Sequence, residues 1–231
     1  MKQELSKKTR TESDLIGSRE VPESALYGVQ TLRGIENFRI SKFHLNEYPL
    51  FIQALAITKM GAAVANRELD LLTEEQTDAI LKACKEILEG KYRDQFPVDM
   101  IQGGAGTTTN MNANEVIANR ALELMGHQRG EYQYCSPNDH VNRSQSTNDA
   151  YPTAIHIGLY YTHLKLVKHF ETLIQSFRKK GEEFANIIKM GRTQLEDAVP
   201  MTLGQTFNGF ASILEHEVKN LDFAAQDFLT V

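Results

Sequence analysis

Three short stretches of this 231-residue chain carry residue types suited to holding a small anion. The first is Gly103–Val116, GGAGTTTNMNANEV, a glycine-rich turn followed by hydroxyls and amides that run into a helical pattern. Glycine lets the backbone bend sharply and approach a ligand closely. Hydroxyls, side-chain amides and the free N–H groups of a helix start then form a neutral, donor-rich cradle for a carboxylate or phosphate. The second is Ser144–Asp149, SQSTND, placing Ser146, Thr147 and Asn148 just ahead of a long helix that Pro152 is expected to open. The third is Met190–Gln205, with Thr193, Gln194 and Asp197 in a polar stretch before Pro200 and a last helix. Arg192 there could pair with a substrate carboxylate, or with Asp197 or Glu196. Three such cradles suggest a doubly charged substrate.

Each stretch also has a plainer explanation. Ser, Thr, Asn and Asp crowd helix starts as caps, and a polar run can simply connect two helices. His140, in PNDHVN, reads as a hydrogen-bonded loop residue rather than a general base. Other chemistries find less support. The glycines do not complete a dinucleotide fingerprint, and no Lys-Ser/Thr follows for a P-loop. No nucleophile elbow is present. The histidines and the two cysteines, Cys84 and Cys135, match no metal or redox spacing.

The elements that must position these stretches are helical. Phe51–Leu69 has apolar residues at helical spacing. Thr73 and Gln76 form a capping box opening the next helix, and Gly90 stands at its expected end. A third helix follows the first cradle and stops near Gly126. Beyond Pro152 come two long amphipathic stretches, to about Ile188 and from about Met201, as in a helical bundle. Residues 1–13 read as a polar, flexible arm, and the stretch to about Asn46 as irregular. No strand alternation stands out. Hydrophobic residues make up 41% and charged residues 24%, ordinary for a globular protein. A net charge of −5 argues against nucleic acid or an anionic membrane as partner. No apolar run reaches membrane-spanning length, and a reduced, cytoplasmic setting is expected.

In this order and spacing, GGAGTTTNMNANEV, SQSTND and MGRTQLEDAVP resemble the aspartase/fumarase superfamily. ALYGVQTLRGIENF at Ala25–Phe38 and DQFPVDMIQGG at Asp94–Gly104 extend the resemblance over nearly the whole chain. Ala105, where class II fumarases carry serine, Gln194, where they carry histidine, and GEYQY at Gly130–Tyr134 make the aspartases the nearer branch. The resemblance implies a mainly α fold: a small helical N-terminal lyase domain over residues 14–143, then the first two long helices of a central bundle over 144–231. It implies reversible elimination of ammonia from L-aspartate to give fumarate through an aci-carboxylate. Thr107, Ser146 and Thr147 match the residues that hold the β-carboxylate. Asn148 matches the asparagine near the amino group, and Thr193 a contact to the α-carboxylate. Gln194 stands where many relatives have histidine and can only hydrogen-bond.

The family's base is a serine in a loop of the form Gly-Ser-Ser-x-Met-Pro-x-Lys-x-Asn-Pro. No such segment occurs before Val231, so no catalytic base is assigned here and the 231 residues are expected to be inactive alone. Family members are homotetramers about twice this length, with sites built from three subunits. No cofactor or metal ligand is implied, and divalent-metal activation is not readable from sequence. The alternatives are a class II fumarase, or a non-catalytic helical oligomerisation fragment.

Overall fold

A computed structural model describes residues 8–230 and is mainly helical. The chain divides into two compact units, one running to Gly158 and the other covering Leu159–Thr230.

The first unit opens with a hairpin of β1 (Thr9–Asp14) and β2 (Gly17–Pro22), paired antiparallel from Thr9–Pro22 to Asp14–Gly17. Helix α1 (Val29–Asn37) follows, and its N-terminus is capped from a distance. The buried Glu115 carboxylate accepts the N–H groups of Gly28, Gln30 and Thr31 at 2.8–3.0 Å, and Glu12 accepts that of Val29. Two carboxylates at a positive dipole end replace an ordinary side-chain cap. Burial nevertheless pushes the Glu115 carboxyl upward, against these bonds.

The core forms between α2 (Pro49–Glu68), α3 (Glu74–Leu88) and α4 (Thr107–Leu124). The Thr73–Gln76 capping box is formed in both directions. Gly90, with φ +87°, ends α3 as expected. Leu55, Ile80, Ile87, Phe96, Ile117 and Leu122 are fully buried here. Helix α4 is covered on nearly all sides, so Asn110, Asn112, Asn114 and Asn119 are buried together with its apolar residues. A helix buried all round must satisfy its polar groups internally.

Helix α5 (Thr147–Glu183) begins in the first unit, where Gly158 lies against Phe51 and Ala54 of α2. In the second unit α5 continues to a hairpin of β3 (Ile188–Thr193) and β4 (Glu196–Thr202), then α6 (Leu203–Ala224). Phe177 and Phe184 pack on Phe207 and Phe210, with ring centroids 5.6–6.0 Å apart. Arg178 pairs with Glu215 at 2.7 Å, and His163 with Asp222 at 2.9 Å. Gly204 lies close against Gly181 and Ala185, leaving no room for a side chain. Leu164, Leu166, Leu173, Ile213 and Phe223 remain exposed. Among the described residues no helix is long and apolar enough to cross a membrane.

Several sequence expectations are corrected. The flexible arm expected over 1–13 is a strand from Thr9 onward, with Glu12 buried; residues 1–7 lie outside the described residues. The stretch read as irregular to Asn46 contains α1. The connection ahead of the last helix is the β3–β4 hairpin, and Pro200 lies within β4. The covered face of β1 carries Arg10, Glu12 and Asp14 rather than apolar residues, and β3 and β4 are largely exposed, so no apolar period-two alternation marks either hairpin. The two long helices have 37 and 22 residues rather than about thirty each. Pro152 is the sixth residue of α5, so Thr147 and Asn148 lie inside the first turn rather than ahead of it. Without an N–H, Pro152 has no donor to offer the Asn148 carbonyl.

Candidate functional site

The first cradle is a chain of left-handed residues. Gly104, Ala105 and Gly106 have φ of +73°, +48° and +90°, which turns the chain abruptly into α4. Thr107 is the first residue of that helix and is exposed, with its hydroxyl donating to the Gly104 carbonyl at 2.5 Å. Gly106 combines its positive φ with a close neighbour: any Cβ there would strike the ring of Tyr151. Tyr151 in turn meets Phe51 edge-on, centroids 5.7 Å apart. The turn is thus pressed against α5 by an aromatic ring.

The segment ahead of it is anchored by Asp99, which is buried. Its carboxylate accepts the N–H groups of Ile40, Ser41 and Ile101 and the Ser41 hydroxyl at 2.7–2.9 Å. Desolvation opposes ionisation, but these bonds outweigh it and hold the carboxyl down at about 2. Gln102 then clips the segment to α4 by bonding both the N–H and the hydroxyl of Thr109.

Beneath the cradle sits Lys59 of α2, fully buried. Its ammonium donates to Asn110 Oδ1 at 2.7 Å, Gln145 Oε1 at 2.9 Å and Asn142 Oδ1 at 3.0 Å. Three donors meet three neutral amide oxygens, one from α4 and two from the loop before α5. Burial pulls the ammonium down to about 7. Asn142 Oδ1 also accepts the amides of Asn110 and Asn114 at 3.0 and 3.1 Å. The second hydrogen of Asn110 points to Thr147 Oγ1 over a longer 3.4 Å. The second cradle is therefore wired to the first through α4.

Within that second cradle Ser146 is exposed, and its hydroxyl accepts the Asn148 N–H at 3.1 Å. Thr147 is half-buried at the start of α5, and Asn148 is exposed. Thr107 and the Ser146–Asn148 run thus both stand at helix starts in the first unit. Thr193 and Gln194 belong to the second unit, at the tip of the β3–β4 hairpin. Gln194 and Leu195 form its two-residue turn with φ of +51° and +70°, an arrangement that normally selects Asn-Gly. Arg192 pairs with Asp197 at 3.1 Å on the exposed hairpin. His140 accepts the Ser136 N–H at Nδ1, 2.7 Å, and burial lowers its pKa, as suits a loop-fixing residue. Among the described residues no group of three or more His, Cys, Asp and Glu side chains is disposed to hold a metal ion.

Lys59, Asn110, Asn142, Gln145 and Tyr151 were not singled out from the sequence. Lys59 did leave a signal. It falls at helical spacing with Ile52, Leu55, Ala56 and Ala63, on the stripe that must be buried.

This arrangement has a clear family. A profile described as "Lyase" matches residues 17–230, and the chain belongs to that lyase family. Its sequence is similar to the aspartate ammonia-lyase of Pseudomonas canavaninivorans, 57% identical over 96% of this chain and 47% of the relative. It is likewise similar to that of Escherichia coli strain K12, 54% identical over 98% and 48%. A fumarate lyase:delta crystallin from Brucella melitensis has the same fold, with TM-score 0.93 and 51% identity over 96% of this chain and 51% of that one. A class II fumarase from Schistosoma mansoni aligns with TM-score 0.81 and 39% identity over 92% and 44%. The chain spans about half the length of the curated relatives it matches.

Proposed function

We propose that the protein is an aspartate ammonia-lyase, eliminating ammonia from L-aspartate to give fumarate, and that this chain supplies donors to the substrate carboxylates. The observation that carries the reading is the pair of hydroxyls, Thr107 and Thr147, at the first residues of α4 and α5, the second of them tied into a buried amide network. Both helix starts present positive dipole ends.

The reaction needs such donors. A base removes the proton next to the β-carboxylate, and the electron pair spreads onto that carboxylate as an aci-carboxylate. The protonated amino group then leaves as ammonia, taking the carbon–nitrogen bonding pair, as the double bond forms. The dianionic carboxylate is the unfavourable species, and preorganised donors aimed at its oxygens lower it most. Thr107, Ser146 and Thr147 are assigned to that group, Asn148 to the amino end, and Thr193 to the α-carboxylate, with Gln194 as a neutral neighbour. The similarity to aspartate ammonia-lyases supports this division, and Ala105 and Gln194 weigh against a fumarase.

The protein is further proposed to work as a homo-oligomer, for which the exposed apolar residues of α5 and α6 provide the faces. A cytoplasmic setting fits the buried free thiols of Cys84 and Cys135. The test follows fumarate by its ultraviolet absorbance with aspartate and with malate as alternative substrates, using the protein that contains this chain. Fumarate from aspartate is expected; release from malate alone would make it a fumarase.

A further inference from the structure

The amide network under the cradle has a direction. An ammonium has hydrogens to give and no acceptor, so every group that bonds Lys59 must present oxygen to it. Asn110 therefore turns Oδ1 toward Lys59 (2.7 Å), which leaves Nδ2 pointing at Asn142 Oδ1 (3.0 Å) and Thr147 Oγ1 (3.4 Å). Rotating that amide by half a turn would set NH₂ against the ammonium and oxygen against Asn142 Oδ1. Asn142 cannot yield either, because its oxygen already takes hydrogens from Lys59 and Asn114 while its NH₂ donates to the Gln145 carbonyl at 3.0 Å. Gln145 is held the same way, its oxygen on Lys59 and its NH₂ on the Val141 carbonyl at 2.9 Å.

We propose that Lys59 is a positioning residue that fixes the donor polarity of the cradle: acting through Asn110, it fills one lone pair of Thr147 Oγ1 and so compels the Thr147 hydroxyl to donate outward, to a bound carboxylate. The inference rests on the assignment of Thr147 to the substrate. It adds that Lys59 exerts its effect without touching the anion. A threonine hydroxyl can give or take a hydrogen bond, and only a polarised one is a committed donor.

Asn110→Asp separates this role from simple packing. The carboxylate has the same shape and pairs with the Lys59 ammonium, yet it has no hydrogen to give Thr147, whose hydroxyl must then turn inward to donate to it. The same protein used in the aspartate assay and its Asn110→Asp, Lys59→Met and Thr147→Val variants are titrated with succinate, an unreactive dicarboxylate, at pH 6, where Lys59 is charged. Binding is followed by amide chemical shifts, which also report whether each variant is folded. Asn110→Asp and Lys59→Met are expected to weaken binding about tenfold or more, as a lost hydrogen bond to a charged group does. Thr147→Val should weaken it equally. Wild-type affinity in folded Asn110→Asp, beside weakened Thr147→Val, would overturn the polarity role alone. Unchanged affinity in Thr147→Val, or no saturable binding by the unsubstituted protein, would overturn the assignment on which it rests. If Asn110→Asp does not fold, Lys59→Met decides; collapse of both would show that Lys59 holds the fold rather than the polarity.

Discussion

The two places where the chain offers polar groups to a ligand are built on opposite plans. Thr107 and Thr147 stand on helix starts, the second of them backed by a buried network in which Lys59 alone engages three amides. At Thr193 and Gln194 the same kinds of groups sit on an exposed two-stranded hairpin, closed by a strained turn whose Leu195 is 96% exposed. The first arrangement is preorganised and will tolerate little change. The second carries a conformational cost and has local stability left to gain. Buried amides must be satisfied on folding, which fixes geometry, whereas an exposed hairpin is free to relax.

Thr107→Val tests the preorganised side most severely. In the active protein it is expected to lower turnover of aspartate by roughly 10²–10³-fold, about 3–4 kcal/mol, with little change in melting temperature. A fall of only a fewfold would place Thr107 outside the reacting carboxylate. Gly106→Ala comes next. A side chain there meets the Tyr151 ring and keeps a positive φ, so thermal unfolding should show a loss of about 2–3 kcal/mol. Unaltered stability would mean that the turn is less confined than the contact with Tyr151 implies.

On the hairpin the sign reverses. Leu195→Gly relieves a left-handed residue and should add about 1 kcal/mol to the stability of the second unit, read by hydrogen exchange across β3 and β4. A loss there would show that the Leu195 side chain is held by something other than the hairpin. The smallest effect at neutral pH concerns Asp99. Its folded pKa of about 2 lies below the ordinary 3.8, so its contribution is full above about pH 4 and disappears as pH falls through 2. Acid titration followed by circular dichroism should show that loss, and Asp99→Asn should flatten it.

Much of this was legible in the sequence because the signals were local. The Thr73–Gln76 box and the Gly90 stop each depend on a few neighbouring residues, whereas α4 begins at Thr107, within the cradle rather than after it. The hairpins were not legible, since β1 buries a polar face of Arg10, Glu12 and Asp14 while β3 and β4 are largely exposed, and neither leaves an apolar alternation. The true start of α5 was masked by Pro152, which suits a first turn but stands one turn further in. Lys59, Asn142 and Gln145 come together only in the fold, over 83 and 86 positions of sequence, and no local pattern encodes that meeting. The motifs supplied the hydroxyls; their orientation came from long-range burial.

The several asparagines of α4 also bear on how the chain folds. Asn110 finds its partners only when α2 and the loop carrying Asn142 have both docked, and Asn114 reaches Asn142 only when that loop has. Until then a half-docked α4 would hold amides away from water without acceptors, a costly state that is passed through rather than populated. The cradle should accordingly lock late and as one step, with φ-values near zero at Asn110 and Asn142 and higher values along the apolar α2–α3 contact. A chain caught partway through folding would then have helices and a core, but no grip on an anion.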